Sequence, residues 1–208
     1  MGDVGCHEVH VGREDFGLFG CKRGFGCATH HQEWLALKVV HLEHVAGKLS
    51  DHYDPRTNVI RLSDGVFNST SVAAVGIACH EAGHAAQHAQ GYLPIKIRNT
   101  ILPVCNIGSY AGIPLAILGV FLNYSPLITL GILLYAFVAI FQLVTLPVEF
   151  DASHRAVVVM DETGMLGGDE LEGAKKVLKA AAMTYVASLA VSLANLLRFI
   201  IRFSGRRR

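Results

Sequence analysis

The sequence predicts a mainly α-helical integral membrane protein, with a transmembrane helical hairpin, a small β-hairpin and one helix that carries an HExxH motif. Three observations predict it. Hydrophobic residues make up 51% of the 208 residues and charged residues only 17%, against about 25% charged in ordinary soluble domains. Two long stretches carry no charge, each about 20 residues, the length that crosses roughly 30 Å of hydrocarbon as a helix. Between helix-starting and helix-stopping signals lie His80, Glu81 and His84 at metal-ligand spacing. The same composition excludes disorder, collagen and coiled coil, and a net charge of +1 gives no electrostatic case for a nucleic-acid partner. The length suits one domain, expected over residues 35–208.

Residues 1–34 are polar and glycine-rich and lack the apolar run of a secretory signal. They are expected to be an atypical, disordered or aberrant segment. Cys6, Cys21 and Cys27 lie there with His7, His10, His30 and His31, but the Cys21–Cys27 spacing matches no zinc finger. Cys79 and Cys105 sit in apolar surroundings and are expected to be buried thiols.

From Leu49 to Ser63, the run Asp54-Pro55-Arg56-Thr57-Asn58 predicts a turn and Val59 to Ser63 alternates as a strand does. The result is a small hairpin whose outer strand can pair with an extended peptide. His52 and Tyr53 are candidate site residues on it, with simple hairpin packing as the plainer role.

Asn68, Ser69, Thr70 and Ser71 supply N-caps and Gly91 a C-cap, so a helix is expected from about Ser71 to Gln90. Four residues apart on it, the His80 and His84 imidazoles leave one face a turn apart and can both reach one zinc ion at about 2.0–2.1 Å. Glu81 lies beside them, placed to take a proton from an activated water and pass it to a leaving amine. The surrounding Ala78, Ala82, Gly83, Ala85 and Ala86 leave room for close packing.

A catalytic zinc ordinarily has three protein ligands. His88 continues the face but lies about 6 Å beyond His84 along the axis, so a supporting or structural role suits it better. Glu149 is the better third ligand, in Leu146-Pro147-Val148-Glu149-Phe150-Asp151, just after the second apolar stretch. Asp151 is the fallback, or a partner for a histidine N–H.

The apolar stretches run from Val104 to Leu122 and from Leu127 to Leu146, with Asn123, Tyr124, Ser125 and Pro126 as the turn between them. Such a hairpin crosses twice, so the polar segments 35–100 and 149–179 emerge on one side. A third apolar segment, Ala180 to Phe203, carries Thr184, Ser188, Ser192, Asn195 and Arg202 along one face. A spanning helix packed on its neighbours suits that stripe, with an interfacial helix as the alternative. Lys96 and Arg98 favour a cytoplasmic catalytic side, whereas Arg206, Arg207 and Arg208 point to the opposite orientation.

Four segments, LSDHYDPRTNVIRLSD, SVAAVGIACHEAGHAAQHA, FQLVTLPVEFDAS and GAKKVLKAAAMTYVASLA, together resemble the YugP-like membrane-bound neutral zinc metallopeptidases of bacteria, over about Val45 to Phe203. The resemblance implies a gluzincin-like fold, zinc as cofactor and a metalloendopeptidase activity. It also implies a multi-pass location in the bacterial inner membrane, with the lipid bilayer and a peptide or protein substrate, free or membrane-associated, as partners. Carried onto this sequence, His80, His84 and Glu149 hold zinc and Glu81 is the base. Tyr185, His154 and Arg155 remain open as oxyanion donors. Such proteins open with a membrane helix and an amphipathic segment, and residues 1–34 show neither. A non-catalytic, zinc-containing membrane scaffold or partner-binding protein is the alternative, and the intact HExxH argues against it. A metal transporter would need ionisable groups inside the spans, and neither stretch between Val104 and Leu146 contains a histidine or carboxylate.

Overall fold

The structure is a computed structural model that describes residues 8–9 and 40–204. The Cys and His group of residues 6–31 and the arginines at 206–208 lie outside the described residues. The elements run β1 (Glu8–Val9), β2 (Val40–Val45), β3 (His52–Asp54), β4 (Val59–Ser63), α1 (Asp64–Phe67), α2 (Val72–Ala89), α3 (Leu93–Phe121), α4 (Ser125–Glu162) and α5 (Gly168–Ser204). The described residues form two compact units, one of residues 8–9, 40–92 and 149–181, the other of residues 93–148 and 182–204.

In the first unit the sheet order is β1-β2-β4-β3. The expected hairpin is present, with Tyr53 opposite Ile60 in an antiparallel pair. Asn58 closes its turn at φ 56°, a left-handed conformation that asparagine tolerates. The sequence reading placed no strand before Leu49, yet β2 pairs in parallel with β4, Leu42 opposite Ile60. Val40, Ile60 and Leu62 turn inward from this sheet onto Ala74, Ala78, Ala82, Ala85 and Ala86 of α2. The opposite side of α2, through Val75 and Cys79, packs on Ala156 and Met160 of α4 and on Leu171, Ala174 and Leu178 of α5. A helix covered on both sides needs small residues all round, which accounts for its alanines and glycines. Its ends follow the sequence signals. Ala74 N–H donates to Ser71 Oγ at 3.2 Å, and Gly91, at φ 67°, ends it with Gly91 N–H to His88 O and Tyr92 N–H to Gln87 O.

The second unit holds three helical segments whose parent helices are long and apolar enough to cross a membrane. All three helices extend past the apolar runs read from the sequence: α3 begins earlier, at Leu93, α4 continues to Glu162 and α5 begins at Gly168. α3 and α4 run antiparallel at close range: a Cβ on Gly108 would stand 2.5 Å from Leu134 O, and one on Gly131 would stand 2.6 Å from Ala116 N. Asn195 of α5 reaches Tyr135 Oη at 3.5 Å, and Phe199 meets the Tyr135 ring edge-on at 5.9 Å. Large apolar side chains such as Ile107, Tyr110, Leu133 and Val191 point outward, the arrangement of helices whose outer solvent is hydrocarbon. Gly131→Ala should therefore part α3 from α4. A fall of several degrees in the thermal aggregation midpoint in detergent is expected, and an unchanged midpoint would show that the approach is not needed.

Candidate metal centre

Three side chains converge in the first unit. His80 and His84 come from α2 and Glu149 from α4, with their ligand atoms all within 4.8 Å of one another. Glu149 Oε2 stands 3.3 Å from His80 Nε2 and 3.6 Å from His84 Nε2. Ligands held tetrahedrally at about 2.0–2.1 Å from zinc are separated by roughly 3.3–3.4 Å, so the spacing fits such an ion. The donor set fits as well: two imidazoles and a carboxylate, with Glu149 only 3% exposed.

The approach of α2 to α4 sets this geometry. A Cβ on Gly83, inside the motif, would lie 2.7 Å from Ala152 O and 3.2 Å from Ala152 Cα. Only glycine permits that distance, and Ala152 sits three residues after Glu149. The run of α4 through Pro147 without a break carries Glu149 to this point directly from the apolar stretch.

Each histidine has a partner for its other ring nitrogen. His80 Nδ1 lies 3.1 Å from Ser153 Oγ, one helical turn after Glu149. His84 Nδ1 lies 3.0 Å from Gln87 Oε1, and Gln87 Nε2 donates to Asp151 Oδ2 at 2.8 Å. Asp151 also accepts from Arg155 Nε at 2.7 Å. Asp151 thus serves His84 at one remove, through Gln87, rather than as a fallback ligand or a direct partner of a ring N–H.

Glu81 is buried. Burial pushes its carboxyl above the usual range, and the charge of Glu149 adds to this, while His84, His80 and a hydrogen bond from the Tyr53 main-chain N–H pull the other way. Burial also opposes the His84 cation, but the hydrogen bond and charge of Glu149, with the charge of Glu81, outweigh it and raise that imidazole.

The remaining candidates separate cleanly. Tyr53 contributes its main chain to Glu81, while its hydroxyl donates to Asn58 Oδ1 at 2.9 Å and sits 3.3 Å from His88 Nδ1. His88 is exposed and meets the Tyr53 side chain. His52 is exposed, with Nδ1 2.7 Å from Ser50 O. Of the three oxyanion candidates, Arg155 is engaged with Asp151 and Gln90, and His154 and Tyr185 are exposed. Gln87 and Ser153 escaped the sequence reading. Their signal is spacing, three residues after His84 and four after Glu149, the positions that share a helix face.

Two imidazoles and a buried carboxylate, with a second buried carboxylate beside them, make a group that could hold a metal ion. Residues 23–204 match the family described as "Putative neutral zinc metallopeptidase", and the chain belongs to that family. It is 45% identical over 168 residues to the "Putative membrane protease YugP" of Bacillus subtilis (strain 168), covering 81% of this chain and 75% of that relative. No solved structure matches the chain.

Gly83→Ala should destabilise the protein by about 1–3 kcal/mol, because backbone rather than a movable side chain stands in the way. Gly76→Ala should be tolerated, since its Cβ would meet Ala174 Cβ at 3.7 Å and gains up to about 1 kcal/mol of helix propensity. Thermal unfolding of both variants in detergent checks the contrast, and equal midpoints would remove the close approach as the constraint.

Proposed function

We propose that this chain is a membrane-embedded zinc metalloendopeptidase of gluzincin type, multi-pass in the bacterial inner membrane, with His80, His84 and Glu149 as zinc ligands and Glu81 as general base. The observation that carries this reading is the convergence of those three ligands with Glu81 buried beside them. Zinc held there would polarise a scissile carbonyl and acidify a water. Glu81 takes the proton of the attacking water on its carboxylate and returns it to the departing nitrogen. Its burial suits this exchange, because a carboxyl raised above its usual range holds a proton more readily. A dication bound by His80, His84 and Glu149 would offset part of that rise.

β3 supports a peptide substrate. It is the end strand of the sheet order, and the Tyr53 main chain bonds Glu81. An extended peptide added along this edge would run past the catalytic carboxylate, held by main-chain hydrogen bonds that read little sequence. The length of α4 supports the location. Its 38 residues extend about 57 Å at 1.5 Å per residue, well beyond a hydrocarbon layer of about 30 Å. The apolar run thus spans, and Glu149 emerges a turn later on the polar continuation.

The test is zinc content and proteolysis, on detergent-purified wild type and Glu81→Gln. Expected are one zinc per chain in both and cleavage of an unfolded protein by the wild type, reduced about 10²–10⁴-fold in the variant. Zinc in both with cleavage by neither would favour a non-catalytic scaffold. Loss of zinc from Glu81→Gln would make Glu81 structural.

A further inference from the structure

We infer that Arg155, Asp151 and Gln87 form a positioning relay that sets the tautomer of His84 before any metal arrives. This rests on the assignment of His84 as a zinc ligand. The argument runs from fixed donors inward. Arg155 can only donate, and its Nε lies 2.7 Å from Asp151 Oδ2. A second anchor holds the guanidinium, whose Nη1 donates to Gln90 Oε1 at 2.7 Å. Asp151 so held is an acceptor. The Gln87 atom 2.8 Å from Asp151 Oδ2 must then be the amide nitrogen, which turns the Gln87 carbonyl oxygen to His84 Nδ1 at 3.0 Å. An acceptor there demands a proton on Nδ1. In the neutral ring, the lone pair is therefore on Nε2, the nitrogen that faces Glu149.

His80 is held differently. Its Nδ1 meets the Ser153 hydroxyl at 3.1 Å, and a hydroxyl donates or accepts as required. Ser153 orients the His80 ring without dictating its tautomer. His84 is thus the ligand prepared in advance, and Gln87 is fully buried, where its amide has no water to turn toward. None of the three relay residues touches the reacting atoms; each acts through the next.

Both inward bonds fall on one atom, Asp151 Oδ2, so what the relay needs is an accepting oxygen at that place. Asp151→Asn keeps such an oxygen, able to accept from Arg155 Nε and from Gln87 Nε2 together, and zinc affinity, measured by chelator competition at neutral pH, should stay within about threefold of wild type. Asp151→Leu, of similar size, removes it and frees the Gln87 amide to turn, and should weaken zinc about 10–100-fold. Should Asp151→Leu not fold, Gln87→Met carries the test: it fills the same space, leaves His84 Nδ1 without its acceptor and should weaken zinc to a similar extent. Wild-type affinity in Asp151→Leu or Gln87→Met, or an equal loss in Asp151→Asn, overturns the relay while the zinc assignment stands. A wild type that binds no zinc overturns both.

Discussion

The close passage of α2 over α4 is the constraint on which the rest of the first unit depends. His80 and His84 on one helix and Glu149 on another converge only if the helix axes are near enough for short side chains to meet. Glu149 is a glutamate of ordinary reach and both histidines are shorter than a lysine. Removing the Cβ at Gly83 brings the α2 backbone onto the Ala152 carbonyl. Val148, Ala152, Ala156 and Met160, one turn apart, are then completely buried as a row along α4. The alanines on the other side of α2 let the sheet approach as closely. The helix is in effect clamped, and its histidines have little freedom to leave the arrangement.

Burial makes the cluster expensive without a cation. Glu81 and Glu149 are both buried carboxylates, and two such charges in one low-dielectric site oppose each other. The directions of the shifts express this conflict: Glu81 is pushed toward its neutral form and His84 toward its charged form. A proton on the imidazole is a partial substitute for a dication at the same place, so zinc would displace protons as it binds. Two buried carboxylates beside two imidazoles thus favour positive charge at this place.

Most of what governs the site was legible in the sequence because it is local. Helix caps at Ser71 and Gly91, the 80/84 spacing and the small residues around Gly83 are all readable within a single helix. Glu149 was singled out because a carboxylate directly after an apolar run is unusual, and it lies beside His80 and His84. β2 was not legible, since its partner β4 lies beyond the intervening strand β3 and parallel pairing leaves no turn signal. The relay was illegible for a related reason: Gln87 and Asp151 are 64 residues apart in sequence, and nothing in either local pattern marks one as the partner of the other. Arg155 was considered for its charge alone. Its engagement with Asp151 on the same helix follows from their i, i+4 spacing, which favours such pairs.

The arrangement of polar groups on α4 follows from helix geometry. At about 100° per residue, Glu149 and Ser153 lie on one flank of the row through Ala152, and Asp151 and Arg155 on the other. The His84 ring has business with both flanks: Nε2 faces Glu149, and Nδ1 reaches Asp151 through Gln87. An imidazole can serve two flanks of a neighbouring helix only where it crosses near the point of closest approach. Gly83, adjacent to it in sequence, makes that crossing possible. Gln87 then supplies the length that His84 lacks toward Asp151, which explains a fully buried amide on a helix otherwise built from small side chains. Packing and chemistry are here one requirement: the missing Cβ that lets the helices touch also lets a single ring be held from both sides.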